Sequence, residues 1–296
     1  MTLSFVPGRF LVVSDIHSNI EALEAVLRDA EGSGPFEKVL CPGDVVGYGP
    51  DPDLVIERLQ SLSNLIVVQG NHDEAVSTGS TPGFRPMAHD AVGRNRRQLR
   101  EEHFAWLGGL KNAPLFDLHQ RFALVHGNFD GDNAGRNAFQ NMYTSDRDEA
   151  YASLAKLSFQ NGTIQVPLGI FGHTHVPTLV TGTVQDSSTA RARTQRANFD
   201  FMTADTIPPD IPFNAQLFEP RDQSGTETRY KVLFNPGSVG QPRNRSSCAH
   251  YGIVDFTIDK FVLMFRRVEY DVASVQQKLK DRNYHPDLAG RLLGGR

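Results

Sequence analysis

Cysteine is nearly absent from this chain. The 296 residues contain two, Cys41 and Cys248, too few for a disulfide framework and in keeping with a reducing compartment. Positive charge is not in excess either: 30 Lys and Arg against 34 Asp and Glu leave a formal net charge of -4 and a pI near 6.2. That balance excludes the global basic field behind general nucleic-acid binding, although a local groove stays open. No stretch approaches the length of a membrane span, and residues 1–9 carry no basic region followed by an apolar run. A soluble, cytoplasmic protein with no membrane partner is therefore expected. Trp106 is the only tryptophan and is expected to pack rather than to stack on a ligand, and there is no internal repeat. What is present is a hydrophobic fraction of 39%, enough for a real core.

Taken in order, residues 10–13 (Phe-Leu-Val-Val) read as a strand buried on both faces, ending in Ser14-Asp15-Ile16-His17-Ser18-Asn19. Ile20, Leu23, Val26 or Leu27, and Ala30 then recur at helical spacing, with Asn19 as N-cap and Gly32 as stop. The plan repeats with a strand at 39–41, a loop carrying Cys41-Pro42-Gly43-Asp44, and a helix over about 53–62. A third strand, 65–68, runs into Gln69-Gly70-Asn71-His72-Asp73. Strands alternating with helices imply right-handed crossovers and a largely parallel sheet. Ligands of such sheets sit beyond the carboxyl ends of the strands, where Asp15, Asp44 and Asn71 all fall.

Residues 86–110 read as helical with interruptions at Gly93 and Gly108-Gly109. A strand at 121–125 ends in His126-Gly127-Asn128, a helix covers about 147–157, and an apolar run at 168–171 leads into Gly172-His173-Thr174-His175. From about 181 to 229 the texture turns polar, with Arg191, Arg193 and Arg196 close together and Pro208, Pro209 and Pro212 soon after. This is expected to be an insertion on one face of a single domain spanning 1–296, partly packed through Phe199, Phe201, Phe213 and Phe218. A strand at 231–234 meets Asn235-Pro236-Gly237-Ser238-Val239-Gly240-Gln241-Pro242-Arg243, residues 251–256 and 261–268 form an antiparallel hairpin, and a helix over about 272–281 closes the fold.

Five strand-ends thus carry Asp15 and His17, Asp44, Asn71 and His72, His126, and His173 and His175. One such histidine is most often structural; the joint pattern is not. Carboxylate, imidazole and amide oxygen are borderline-hard donors, suited to manganese, iron, zinc, nickel or cobalt and poorly matched to a calcium or thiolate site. Seven such ligands exceed one tetrahedral site and suit two adjacent metals sharing a carboxylate. Alternate residues such as Asp15/His17 and His173/His175 face one pocket only where a turn replaces the regular strand.

Asp-x-His, Gly-Asp, Gly-Asn-His-Asp, His-Gly and Gly-His-Thr-His, in this order, resemble the calcineurin-like metallophosphoesterase superfamily, and the 235–243 segment is similar to its small bacterial and archaeal phosphodiesterase branch. The resemblance implies an α/β fold, a four-layer α/β/β/α sandwich of two mixed sheets flanked by helices. It implies Asp15, His17 and His175 on one metal, Asn71, His126 and His173 on the other, and Asp44 between them, with manganese the favoured ion. His72 would hydrogen-bond the substrate phosphate or protonate the leaving oxygen.

Two divalent cations bring four positive charges; Asp15, Asp44 and a bridging hydroxide remove three, leaving a field suited to a phosphoester and its transition state. The hydroxide would attack phosphorus in line with the leaving oxygen. Relatives that act on phosphoproteins continue Gly-Asp with Asp-Arg-Gly, whereas Asp44 is followed by Val45-Val46-Gly47-Tyr48-Gly49, which disfavours a phosphoprotein. A phosphodiesterase acting on small or nucleotide diesters is expected, ahead of a phosphomonoesterase or a nuclease and well ahead of a non-catalytic scaffold. Nucleic acid remains a possible partner through Arg191, Arg193 and Arg196 but is not favoured. Asn19, Tyr48 and Arg243 are candidate substrate contacts.

Overall fold

Period-two alternation in the first strand sets the layers. In β1 (Gly8–Val12) the side chains of Phe10 and Val12 enter one core, while Leu11 and the following Val13 enter another. The computed structural model describes residues 5–129, 147–157, 166–185, 199–204, 206–207, 212–216 and 228–296. Among these, β1 lies inside a six-stranded mixed sheet with β2 (Lys38–Cys41), β3 (Leu65–Val67), β9 (Phe213–Gln216), β11 (Ala249–Phe256) and β12 (Lys260–Val268), in the order β3-β2-β1-β11-β12-β9. The β1–β2 and β2–β3 pairs are parallel, and β1–β11, β11–β12 and β12–β9 are antiparallel.

A second six-stranded sheet runs β4-β5-β6-β10-β7-β8, built from β4 (Leu115–Phe116), β5 (Phe122–Leu124), β6 (Leu168–Ile170), β7 (Thr178–Gln185), β8 (Phe199–Thr203) and β10 (Thr228–Asn235). Its β5–β6 and β6–β10 pairs are parallel and its outer pairs antiparallel. Phe10, Val12 and Leu40 of the first sheet meet Phe122, Leu124, Ile170 and Phe234 of the second in one buried cluster. On the outside of the first sheet, α1 (Ile20–Glu31) and α2 (Pro52–Gln60) cover Leu11, Val39 and Ile253. On the outside of the second, Ala150 and Leu154 of α6 (Arg147–Lys156) cover Ala123, Val180 and Leu233. The result is the expected α/β/β/α sandwich of two mixed sheets. Asn19 caps α1 by accepting from the Ala22 N–H at 3.1 Å.

Three expectations need adjusting. The helical stretch at 86–110 is two helices, α4 (Pro86–Gln98) and α5 (Glu101–Gly109). They part at Leu99 and Arg100, which take extended backbone (ψ 137 and 154), and not at Gly93, which sits inside α4. A short helix, α3 (Asn71–Thr78), begins within the Gly-Asn-His-Asp motif. Finally α7 (Val272–Asp281) does not close the fold: α8 (Pro286–Gly294) follows, with Pro286 in its first turn and Leu288, Ala289 and Leu292 buried. Its two glycines, Gly290 and Gly294, mask the apolar spacing in the sequence.

Within 181–229, β7 runs on to Gln185, β8 extends the second sheet, and β9 forms the edge of the first. Phe201 packs against the outer core and Phe213 against the core between the sheets. Arg191, Arg193, Arg196, Pro208, Pro209 and Phe218 lie outside the described residues. No helix among the described residues is long and apolar enough to cross a membrane. Cys41 is buried and Cys248 half-buried, both as free thiols, and Trp106 packs against the core under α1 and α2.

Candidate metal centre

Where β1, β2, β5 and β6 end, the chain turns sharply rather than continuing as strand. Seven of the ten non-glycine residues with positive φ among the described residues are Asp15, His17, Ser18, Asp44, Tyr48, His173 and His175. Left-handed backbone is uncommon for such residues and gathers at functional sites. Here it turns Asp15 and His17 toward one point and brings His173 and His175 to adjoining groups around Asp44. The Asp44 turn leaves no room for a side chain beside it, since a Cβ on Gly70 would lie 2.1 Å from Asp44 Oδ1.

Two groups of side chains result, and Asp44 belongs to both: Asp15, His17, Asp44 and His175, and Asp44, His126 and His173. All are buried, and within each group the candidate donor atoms lie within 4.8 Å of one another. Asp44 Oδ2 is 3.5 Å from His17 Nε2 and 3.4 Å from His126 Nε2, so a single carboxylate oxygen stands between the two groups. The other oxygen, Oδ1, accepts from the His72 backbone N–H at 2.8 Å. Asn71 joins the second group, its Oδ1 being 3.1 Å from His126 Nε2. Asp15 accepts from the Ser14 hydroxyl at 2.6 Å and the His173 N–H at 3.0 Å.

The partners of the ring nitrogens show whether these groups suit a divalent cation. Nδ1 of His17 faces the Val46 carbonyl at 2.9 Å, Nδ1 of His175 the Gln241 carbonyl at 2.6 Å, and Nδ1 of His126 the Pro42 carbonyl at 2.8 Å. A carbonyl can only accept, so each Nδ1 carries the hydrogen and each Nε2 of a neutral ring is a bare lone pair. Burial pushes His17 and His175 well below the usual imidazole range. Both are therefore neutral, and their lone pairs face each other at 3.0 Å. Lone pairs opposed at that distance repel unless a cation sits before both. At His126, burial lowers the pKa, yet the Asp44 and Asp15 carboxylates outweigh it and lift the ring to about 9. Against its own burial, Asp44 is held well below the ordinary carboxylate value by His126 and His72. Asp15 is pushed up to about 7, first by burial and then by Asp44. Carboxylate oxygen, amide oxygen and imidazole Nε2, bare at His17 and His175 and freed at His126 when a cation displaces its proton, fit two divalent transition-metal ions, and the Nδ1–carbonyl bonds aim the rings as metal-binding histidines require.

Beside the centre opens a cavity of about 540 Å³, into which Asp44, Asn71, His72, His173 and His175 face, together with Tyr48 and Arg243. His72 is buried; burial lowers its pKa to about 4, and its Nδ1 has no hydrogen-bond partner. Nδ1 lies against Gly47, where a Cβ would come within 2.4 Å. Its ring stacks obliquely on Tyr48 and Phe84, with centroids 4.4 and 4.8 Å away. Arg243 reaches the Gln241 side chain at 3.2 Å and the Tyr48 hydroxyl at 3.4 Å.

Asn19 is the exception among the expected substrate contacts. It does not line this cavity, because both ends of its amide are committed: Oδ1 caps α1, and Nδ2 donates to the Gly240 carbonyl at 3.0 Å.

Sequence reasoning passed over the residues that hold the loops. Asp73 accepts from the N–H groups of Gly70 at 2.9 Å and Val46 at 3.1 Å, tying the Asn71 turn to the Asp44 loop. Burial, then Asp44, raises its pKa to about 7. Asn95, buried on α4, accepts from the Gly47 N–H at 2.7 Å and the Ser18 hydroxyl at 2.8 Å, and donates to the Gly49 carbonyl and the Tyr284 hydroxyl. Asp73 sat inside a quoted motif and carried a signal. Asn95, one polar residue in a mid-helix run, carried none.

A family model described as calcineurin-like phosphoesterase matches residues 8–177. The chain is 29% identical over 296 residues to an uncharacterized protein of Methanocaldococcus jannaschii, MJ0912, with 98% of this chain and 100% of that one covered. The crystal structure of a metallophosphoesterase from Sphaerobacter thermophilus superposes with a TM-score of 0.71 at 29% identity, covering 98% of this chain and 100% of the other. A hypothetical protein from Pyrococcus horikoshii, PH1004, shares the fold, with a TM-score of 0.64 at 17% identity over 97% of this chain and 98% of its own.

Proposed function

The chain belongs to the calcineurin-like phosphoesterase family, and from that premise we propose that it hydrolyses phosphoesters with two divalent transition-metal ions, diesters ahead of monoesters. One observation supports this most: buried carboxylate oxygens and imidazole nitrogens gather in two groups that share Asp44. Asp15, His17 and His175 would hold one ion and Asn71, His126 and His173 the other, with Asp44 common to both. When bound, the ions would supply Lewis-acid charge against the phosphoryl group and bring the pKa of water toward neutrality. Manganese suits the mixed oxygen and nitrogen donors, and elemental analysis of purified protein separates it from iron, zinc, nickel and cobalt.

The remaining work falls to the chain's own side chains. His72 faces the cavity beside Asn71 and is positioned to donate a hydrogen to the phosphate or the leaving oxygen. A leaving-group series decides which: a protonating role makes His72→Ala hurt poor leaving groups most, while equal losses across the series leave only phosphate positioning. A diester preference is supported by the loop after Asp44, where Tyr48 stands in the cavity wall and no arginine is present. Tyr48 and Phe84 offer a neutral aromatic face to the second ester substituent. Parallel rates on an aryl phosphate diester, an aryl monoester, 2′,3′-cyclic nucleotides and single-stranded RNA test the proposal. Diesters are expected to react fastest; a monoester preference overturns that choice, and strong weakening of RNA cleavage by salt would favour a nuclease. Absence of turnover on every ester by the metal-loaded protein would leave a scaffold of the same fold.

A further inference from the structure

Three arginines face the cavity, and no carboxylate among the described residues pairs with any of them. They come from separate parts of the fold: Arg85 from the turn into α4, Arg243 from the loop after β10, and Arg291 from α8. Arg243 touches only uncharged oxygens, on Tyr48 and Gln241, and its Nε is buried without a partner. Burial and repulsion from Arg243 and Arg85 lower the Arg291 pKa, so the guanidiniums sense one another. Gathering three like charges around one cavity is unfavourable unless an anion joins them. Two bound metals would make this field more positive still, and a diester brings a single negative charge to meet it. The α4 N-terminus, with no acidic residue in its first turn, opens on the same side.

We propose that Arg85, Arg243 and Arg291 form a subsite for a second phosphate group, so that the substrate is a small phosphodiester with a further phosphate a short spacer away from the scissile one. The inference rests on the phosphoesterase reading and narrows its substrate class. A volume of about 540 Å³ suits a nucleotide-sized molecule rather than a long polymer. Guanidinium is the side chain best matched to phosphate, through paired N–H donors and a charge that never titrates. Arg85 is exposed and Arg291 half-buried at the cavity mouth, which places the distal phosphate toward solvent.

Two chromogenic probes with the same scissile bond separate the subsite from the metal centre: thymidine 5′-(4-nitrophenyl phosphate), and the same compound bearing a 3′-phosphate. The metal-loaded wild-type protein is expected to show a KM about tenfold lower for the 3′-phosphorylated probe, with kcat little different. In an Arg85→Ala/Arg291→Ala double variant that difference should vanish, and Arg85→Lys/Arg291→Lys should restore part of it. A thermal melt of each variant checks folding. Equal KM values in the wild type, or equal proportional losses on both probes in the double variant, would overturn the subsite. If neither probe turns over, calorimetry with thymidine 3′,5′-bisphosphate and thymidine 5′-monophosphate decides. About tenfold tighter binding of the bisphosphate, lost in the double variant, supports the subsite, and equal affinities refute it.

Discussion

Strands β1, β2 and β5 begin beside one another at one end of the sandwich, and there a fully buried cation is matched. Arg121 donates to Asp117 at 2.8 Å, to both oxygens of Glu37 at 2.8 and 2.9 Å, and to the Val6 carbonyl, and its guanidinium lies 4.6 Å from the Phe10 ring centre. The same strands finish at the candidate metal centre, where buried groups are just as polar but His17 and His175 set acceptor against acceptor. Both ends bury charged side chains, Arg121 at one and Asp15 and Asp44 at the other, so burial alone does not separate structure from function. The difference is whether the chain supplies both partners. At the Arg121 end the count closes; at the Asp44 end it closes only with cations from outside.

Exchanging one residue at each end tests that contrast most directly. Asp44→Asn should abolish binding of both ions and lower kcat/KM by about 10³-fold or more, as loss of a shared ligand would; two ions retained by elemental analysis would break the comparison. Arg121→Met should act oppositely, costing about 1–2 kcal/mol in urea unfolding because Asp117 loses its partner and the exposed Glu37 regains water, while metal content and activity per folded molecule hold. A second contrast comes from the ligands themselves. Adding Mn²⁺ at a hundredfold excess over its Kd should stabilise the protein by about 2.7 kcal/mol per site, and by the same amount in Arg121→Met; unequal gains would mean that the two ends are coupled.

A change confined to acid pH concerns His250, near the candidate metal-centre end of β11. Burial, then Arg267, lowers its pKa from 6.5 to about 4. Between those values the unfolded chain holds more protons than the folded one, so this group weakens the fold as pH falls from about 6.5 to 4. His250→Asn should flatten that limb of a stability-against-pH curve, and an unchanged slope would show that the acid loss arises elsewhere.

Much of the site was legible because each candidate ligand follows an apolar run that can only be a buried strand, and parallel strands deliver their ends to one place. Layering was less legible: the alternation of Phe10 and Leu11 into different cores is invisible in a continuous apolar run. Asn19 was misplaced because an amide next to a ligand loop serves equally well as a helix cap, and the cap took both of its ends. Arg85 and Arg291 could not have been found by motif. One precedes a helix and the other lies on a helix hidden by glycines, and only the fold brings them to the same cavity.

The pairing of β1 with β11 carries a consequence for how the chain is made. Arg9 and Asp255, joined by a hydrogen bond across that pair, are 246 residues apart. A ribosome therefore releases β1, β2 and β3 well before the strand that covers the other edge of β1. Until β11 emerges that edge is unpaired and apolar, the state in which nascent chains associate wrongly. Folding of this sandwich is bound to be late and non-local, and a chain truncated before β11 would be expected in the insoluble fraction even though it contains every candidate metal ligand.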